Sequence, residues 1–339
     1  MHKKAITFSD ISKYTGLSKA TISRYFNNPS YLTKKNADII ANALKELNYQ
    51  ENKLAKIFAK GNSEIIGIIV PNFFYQFYSH FLNHVLNTYD QYGYKFITFL
   101  GNNDAEAEKK YLNELLSYQV VGLIELSHNL PSEYFSQLGV PVVSIEREDK
   151  FINSVNTNNL LGAKMAVDLL QKNQCDIYFH INSLVPSCVP SYGRIQGFTD
   201  SCQAKGLPHE IILRPFSDLY EETYRRLYQI YQDIKKKYNG QKKGFFFCND
   251  TYANIFVNIL VKNGEDIPHE YQIIGFDNSP DSSQAIIPIT TVSQDIRSIA
   301  QNAMDLLSQQ INKESGDDST DSLKHIIIQP SLIERSTTD

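Results

Sequence analysis

Near the N-terminus, the run Ser18-Lys19-Ala20-Thr21-Ile22-Ser23-Arg24 carries side chains of the kinds that read nucleic acid. An arginine can donate two parallel hydrogen bonds to a guanine edge, and an alanine methyl can meet a thymine methyl. Arg24 and Ala20 supply those groups about one helical turn apart, and Lys19 suits a guanine or a phosphate. Ser18, Thr21, Asn27, Thr33 and Tyr49 carry hydroxyl or amide groups suited to phosphate contacts, which fix register without specifying sequence. The plain alternative for Arg24 is a surface salt bridge. Signs of catalysis are missing by comparison. No G-x-G-x-x-G, no G-x-x-x-x-G-K-[ST] and no H-E-x-x-H occurs, and His80, His84, His128 and His180 have no identifiable nucleophile partner. The cysteines Cys175, Cys188, Cys202 and Cys248 are scattered, with no C-x-x-C pair, so buried reduced thiols are expected. No enzyme activity, cofactor or metal is expected.

The elements that must hold the first group are short helices. Thr7 followed by Asp10 predicts a capping box opening a helix over 8–14. Gly16 can take the left-handed conformation of a tight turn, and Ser18 can cap a second helix over 19–26. Ile11, Leu17, Ile22 and Phe26 fall on one side. A third helix from Thr33 to about Leu47 adds Ile39, Ile40, Ala43, Leu44 and Leu47 at helical spacing. Two short helices around a glycine turn, braced by a third, form a helix-turn-helix unit whose second helix enters a major groove. Charge agrees with that. Residues 1–61 hold eleven Lys/Arg against four Asp/Glu, a balance of +7, and the remainder carries −11. A basic head on an acidic body directs only the head at a polyanion.

From Ile65 onward the rhythm changes. Short apolar runs at 65–70, 95–100, 120–126, 140–145, 176–181, 211–213, 244–248 and 272–276 alternate with helical stretches such as 105–118, 161–171 and 252–262. Fully apolar strands between helices imply parallel sheets covered on both faces, with ligands at the carboxyl ends of the strands. There are enough strands for two such sheets. Residues 312–322 are polar and acidic, a surface loop before a last strand over 325–329.

The ordered set Thr7-Phe8-Ser9-Asp10-Ile11, Gly16 to Arg24, Leu47-Asn48-Tyr49, Ile66 to Asn72 and Arg194-Ile195-Gln196-Gly197-Phe198 resembles the lactose-repressor (LacI/GalR) family. So do Phe247-Cys248-Asn249-Asp250, Ile274 to Asn278, Thr290 to Asp295 and Pro330 to Arg335, which carry the likeness almost to the C-terminus. The resemblance implies an all-α helix-turn-helix head and an α/β body of two doubly wound parallel-sheet lobes of periplasmic-binding-protein type. Residues 52–59 resemble the family's hinge helix, so Asn52, Lys53, Ala55 and Phe58 join the DNA-contacting set. Phe58 stands where the family has leucine, and an apolar wedge of this kind unstacks a base step. The resemblance also implies an effector, a sugar first of all, bound between the lobes. Arg194, Asn249 and Asp277 match positions that hydrogen-bond effector hydroxyls, and Glu146 and Gln294 join them at strand ends. Asn72 follows the first strand and joins the candidate site; of the aromatics after it, Phe73, Phe74, Tyr75 and Phe77, one or two line the cleft against a sugar's apolar face, Phe73 and Tyr75 first, and the others are core or dimer contacts. Asp250 is equally suited to capping the next helix.

The expected division is 1–50 for the head, 51–62 for the hinge, 63–162 plus 290–321 for one lobe, and 163–289 plus 322–339 for the other. The expected function is repression of a carbohydrate-utilisation operon. Its expected partners are a palindromic double-stranded operator, a small-molecule effector and a second copy of the chain; no heptad extension calls for a tetramer, and no membrane is involved. The two N-terminal lysines lead into no apolar stretch, so the cytoplasm is the expected location. The competing readings are a solute-binding protein or a sugar-active enzyme without specific DNA binding.

Overall fold

The computed structural model describes residues 6–50, 63–101, 104–147, 150–185, 189–313 and 322–338. These residues fall into two units, divided at Ser63.

In the first unit, α1 spans Phe8–Thr15 and is opened by the full capping box: the Thr7 N–H donates to the Asp10 carboxylate at 2.9 Å, and the Asp10 N–H to the Thr7 hydroxyl at 3.4 Å. Gly16 ends it at φ 70°, in the left-handed region where a Cβ is costly. Ser18 caps α2, Lys19–Asn27, and Thr33 caps α3, Lys34–Glu46. A short 3-10 turn, Pro29–Tyr31, lies between them. Ile11, Ile22, Ile40 and Ala43 form the buried centre, with Leu17, Phe26, Leu44 and Leu47 packed around it. Ile39 is an exception to the expected core: it lies on the outer side of α3 and is exposed. Tyr49 adds to this core. Its ring stands 5.8 Å from Phe26 and 6.2 Å from Phe8, centroid to centroid, so it is first a part of this small core.

The second unit has two six-stranded sheets. The first contains β1 (Ile65–Val70), β2 (Lys95–Leu100), β3 (Gly122–Glu125), β4 (Val142–Ile145), β5 (Asn153–Thr157) and β11 (His325–Ile328). Its spatial order is β11-β5-β4-β3-β1-β2, and every pairing is parallel. The second contains β6 (Ile177–Ser183), β7 (His209–Arg214), β8 (Lys243–Phe247), β9 (Tyr271–Asp277), β10 (Thr290–Ser293) and β12 (Ser331–Ile333). Its order is β12-β10-β9-β8-β6-β7, parallel apart from the antiparallel edge strand β12. Helices α4 (Gln76–Leu86), α5 (Ala105–Ser117) and α10 (Ile296–Ile311) flank the first sheet, and α6 (Asn159–Lys172), α7 (Tyr192–Ala204), α8 (Tyr220–Lys237) and α9 (Asp250–Lys262) the second. The polar residues 312–313 leave α10, and the last strand of the first sheet follows at 325. Among the described residues, no helix is long and apolar enough to cross a membrane.

The lobe boundaries differ from the expected ones. Strand β10 pairs with β9, Thr290 against Ile274, so 290–293 belongs to the second lobe rather than the first. Strand β11 pairs with β5, His325 against Ser154, so 325–328 belongs to the first lobe rather than the second. Helix α6 already packs on the second sheet through Ala163, Ala166 and Val167, which moves the first crossing back to about residue 158. The chain changes lobe beside Asn158, at Gln294-Asp295 and at Gln329-Pro330. Each crossing follows directly on a short strand, and the pairing partner of a short strand is not written in its own residues.

Two packing features test this arrangement. A Cβ at Gly197 would stand 2.6 Å from the Leu160 carbonyl oxygen and 3.0 Å from its Cα, so α6 and α7 touch backbone to backbone there. Gly197→Ala is expected to destabilise the body by about 1–3 kcal/mol in urea unfolding, because backbone cannot step aside as a side-chain tip can. His180, fully buried on β6, has its Nδ1 2.9 Å from the Phe246 carbonyl and its Nε2 3.2 Å from the Asn182 amide, the pattern of a neutral ring. Burial pushes its pKa down to about 3, with Arg194 adding to the effect. The sign follows: the unfolded chain takes the proton first, so this ring's contribution is intact above pH ~6.5 and is lost as pH falls below it, at about 1.4 kcal/mol per pH unit. Urea unfolding of wild type and His180→Gln at pH ~7 and pH ~5 is expected to show a smaller acid loss in the variant; equal losses contradict the neutral buried ring.

Candidate functional site

The head offers a continuous set of contact groups along the first turns of α2. Lys19, Ala20 and Arg24 are exposed, and Ser18, Asn27 and Thr33 are exposed around them. Thr21 is half-buried, its hydroxyl 2.8 Å from the Ser18 hydroxyl. Ser18 accepts the Thr21 N–H at 3.2 Å, so one residue both starts the helix and stands at its positive end, where a phosphate is favoured. Asn27 donates to Ser23 at 3.1 Å, which orients its amide. Tyr31, on the 3-10 turn, is 80% exposed and was not picked out from the sequence; a large aromatic on an exposed proline turn was the available signal. Asn52, Lys53, Ala55 and Phe58 lie outside the described residues.

In the body, a cavity of about 290 Å³ opens at the carboxyl ends of the strands, between the lobes. Phe77 and Tyr78 reach it from the start of α4, and Tyr75 from the segment before. Leu126 and His128 follow β3, and Glu146 follows β4. From the other lobe come Asn182 and Ser183 at the end of β6, Cys248 and Asn249 after β8, and Asp277 at the end of β9. Arg194 on α7 and Gln294 after β10 complete the polar set.

Arg194 is the centre of this arrangement. It is 6% exposed, and its guanidinium carbon lies 3.6 Å from the centroid of the Phe276 ring. Its Nε donates to Asn159 at 2.7 Å and its Nη1 to the Cys248 carbonyl. Its two ends face carboxylates from opposite lobes, Glu146 at 3.8 Å and Asp277 at 4.0 Å. Those separations exceed a hydrogen bond, so a hydroxyl on the cavity side can reach the guanidinium and a carboxylate together without displacing either. Both acids are held from behind. Glu146 accepts the Thr157 N–H at 2.5 Å and the Asn159 amide at 3.0 Å; Asp277 accepts the Gln294 amide at 2.6 Å. Gln294 in turn accepts the Thr157 hydroxyl at 2.5 Å.

Both acids also sit on unusual backbone. Glu146 has φ 53°, Asp277 φ 111° and Asn278 φ 54°. Non-glycine residues hold such conformations where neighbours over-determine them, and they cluster at ligand sites. Here the Asp250 carboxylate accepts the Ser279 N–H at 2.7 Å and the Thr291 hydroxyl at 2.6 Å, and Arg335 donates to Asn278 at 2.6 Å. Burial raises the pKa of Asp277, and the Arg194 charge opposes it. Burial also pushes His128 down to about 4, with Arg147 contributing, so that ring meets the cavity neutral.

The structure therefore gathers Tyr75, Glu146, Arg194, Asn249, Asp277 and Gln294 around one cavity. It does not bring Asn72 or Phe73 there. Asn72 is buried and accepts the Phe74 N–H at 3.0 Å, an Asx turn that shapes the loop after β1, and Phe73 is 47% exposed beside it. Asn249, not Asp250, caps α9: its Oδ1 accepts the Tyr252 N–H at 2.8 Å, and its amide remains at the cavity wall. Sequence reasoning missed Tyr78, His128, Asn182, Ser183 and Cys248. The rule that ligands gather at strand carboxyl ends pointed to His128, Asn182 and Ser183, had it been applied strand by strand.

Both units resemble known proteins. Residues 7–52 match the model for bacterial regulatory proteins of the lacI family, and residues 169–338 that for the periplasmic binding protein-like domain. The chain is 28% identical to a ribose operon repressor of Halalkalibacterium halodurans, covering 91% of each, and 29% identical to a sucrose operon repressor of Streptococcus mutans, covering 90% of this chain and 93% of the relative. Among solved structures, a periplasmic binding protein/LacI transcriptional regulator from Alkaliphilus metalliredigens, complexed with D-xylulofuranose, superposes with a TM-score of 0.71 at 29% identity, covering 82% of this chain and all of that one. The lac repressor dimer bound to operator superposes with a TM-score of 0.82 at 23% identity over 99% of both chains, a likeness of fold. With the head matched by one model, the larger part of the body by the other, and repressors alike over nine-tenths of its length, the chain belongs to the lacI family of bacterial regulatory proteins.

Proposed function

We propose that the chain is a homodimeric, sugar-responsive repressor of a carbohydrate-utilisation operon. It acts by binding rather than by catalysis, in the cytoplasm where the operator is. The observation that carries the effector half is the Arg194 guanidinium set between Glu146 and Asp277 in a cavity between lobes. A fork of donors facing two acceptors suits vicinal hydroxyls, and the aromatic side formed by Tyr75, Phe77 and Tyr78 suits the apolar face of a sugar ring. One arginine against two carboxylates favours an uncharged sugar over a phosphorylated one. The relatives named as ribose and sucrose operon repressors support the same class of ligand.

The DNA half rests on α2. Arg24, Ala20 and Lys19 are the base-edge readers, and Ser18, Thr21, Asn27 and Thr33 the backbone contacts. Each head reads a half-site, so a two-fold dimer pairs with a palindrome. The hinge residues Asn52, Lys53 and Ala55 would extend the contact, with Phe58 as the apolar wedge. Sugar in the cleft prefers one relation of the lobes and so shifts the population that grips DNA.

Two measurements check this reading, using a duplex selected by the protein from a random pool. Arg24→Ala is expected to weaken binding to that duplex by about 1–3 kcal/mol with less effect on random duplex; equal losses contradict base reading. Arg194→Lys keeps the charge but loses the planar fork. It is expected to bind the selected duplex normally while needing at least roughly tenfold more sugar for the same response, the scale of one lost charge-assisted bond. An unchanged sugar response in this variant contradicts the cleft assignment.

A further inference from the structure

Two acids with no part in the cleft itself are buried behind its first-lobe wall: Glu108 on α5 and Glu125, the last residue of β3. Both bond to the same residue. The Ser127 hydroxyl donates to the Glu108 carboxyl, and the Ser127 N–H donates to Glu125 at 2.5 Å. The Asn129 amide donates to Glu108 at 2.8 Å and to the Ser127 hydroxyl at 3.0 Å. Among the described residues, the cation facing both acids is Arg147, the neighbour of Glu146 in the chain. Its guanidinium donates to the Ser127 carbonyl at 3.0 Å and to the Leu130 carbonyl. The loop held in this way, 127–130, carries His128 to the cavity, where Leu126 also stands.

Two carboxylates against one guanidinium would leave a negative charge in the interior, which is costly. The flanking elements bring no further cation. Ile69 of β1 and Ser144 of β4 stand opposite Glu125, His128 is neutral, and Gly101 is the residue whose backbone approaches Glu108 after β2. The Glu108 Oε1 is buried with no hydrogen-bond partner among the described residues, a position far costlier for an ionised oxygen than for a neutral carboxyl. Burial raises the pKa of both acids, and that of Glu125 goes well above the usual carboxylate range, with Glu108 adding to the rise and Ser127 and Arg147 opposing it. We propose that Glu108 and Glu125 keep one proton between them at neutral pH, and that with it they position the 127–130 loop at the cleft. They are positioning residues, acting on the ligand space through Ser127 and His128, whatever ligand the cleft takes. The proton belongs to the pair, because interacting acids titrate together. When the loop opens, the acids become ordinary glutamates that ionise near pH ~4.3. The closed loop is therefore favoured in acid and weakens as pH rises above that value, by up to about tenfold per pH unit, until the closed pair itself ionises.

The test is hydrogen exchange of the full chain, read by mass spectrometry on the peptide that carries 127–130 and corrected for the intrinsic effect of pH. Wild-type protection of that peptide is expected to fall at least about tenfold between pH ~6 and pH ~8. Glu125→Gln, whose amide keeps its hydrogens at every pH, is expected to hold its protection within roughly twofold over that range. Glu108→Gln is expected to do the same, and it reports on the pair if the first variant fails to fold. Glu114→Gln alters an exposed acid on the same helix and is expected to follow wild type. Infrared spectra at pH ~7 supply a second readout, since ordinary carboxyls are ionised there. The carbonyl band of a protonated carboxyl is expected in wild type and in Glu114→Gln, and is expected to vanish in Glu125→Gln. Wild-type protection that does not change with pH, an equal fall in both glutamine variants of the pair, or no such band in wild type overturns the proposal.

Discussion

A buried guanidinium needs counter-charge, and here that need joins two lobes. Arg194 is set in the second lobe but faces an acid from each, Glu146 and Asp277, at distances longer than a hydrogen bond. A buried charge left this loosely paired is costly unless further polar groups complete its shell. Asn159 and the Cys248 carbonyl do part of that, and the face of Phe276 supports the ring plane from one side. The remaining capacity points into the cavity. On the proposed reading of the cleft, the groups that face one another across the lobes are also the groups a polyhydroxy ligand would engage, so occupancy would be tied to lobe geometry.

Much of the surrounding structure reads as support for that centre. Two acids at strand ends occupy left-handed backbone, and each is fixed from behind, Glu146 by Thr157 and Asn159 and Asp277 by Gln294; Asn159 also accepts from Arg194, and Gln294 from the Thr157 hydroxyl, so the supports are joined to one another. Asp250 lies one layer deeper and ties the turn after Asp277 to β10 through Ser279 and Thr291. Gly275 leaves the space for it, since a Cβ there would stand 2.2 Å from the Asp250 carboxylate. The crossings beside Asn158 and at Gln294 place Thr157, Asn159 and Gln294 at the joints between lobes. A change in lobe angle thus acts directly on the atoms that hold the acids.

The head was legible from its residues because its information is local. Thr7, Gly16, Ser18 and Thr33 each determine a cap or a turn within a few positions of themselves, and all four act as their types require. The strands of the body were legible for the same reason, as apolar runs between helical patterns. What could not be read was partnership at a distance. Strands β10 and β11 are four residues each, and only their neighbours in the sheet decide which lobe owns them. Likewise Asn72 is a good polyol ligand by type, but the N–H of Phe74 two residues on claims its oxygen. The packing of the Tyr49 ring against Phe8 and Phe26 was likewise outside what its local sequence shows. The bond between the Tyr75 and Tyr252 hydroxyls joins residues far apart in sequence and leaves no mark in either segment.

If cleft occupancy governs the grip on DNA, the two affinities are thermodynamically linked, and the link is reciprocal. The most direct measurement is the affinity of the sugar for the free protein and for the protein saturated with its selected duplex. The account requires those affinities to differ, by the same factor by which saturating sugar changes the affinity for the duplex. Identical sugar affinities in the presence and absence of DNA would contradict it.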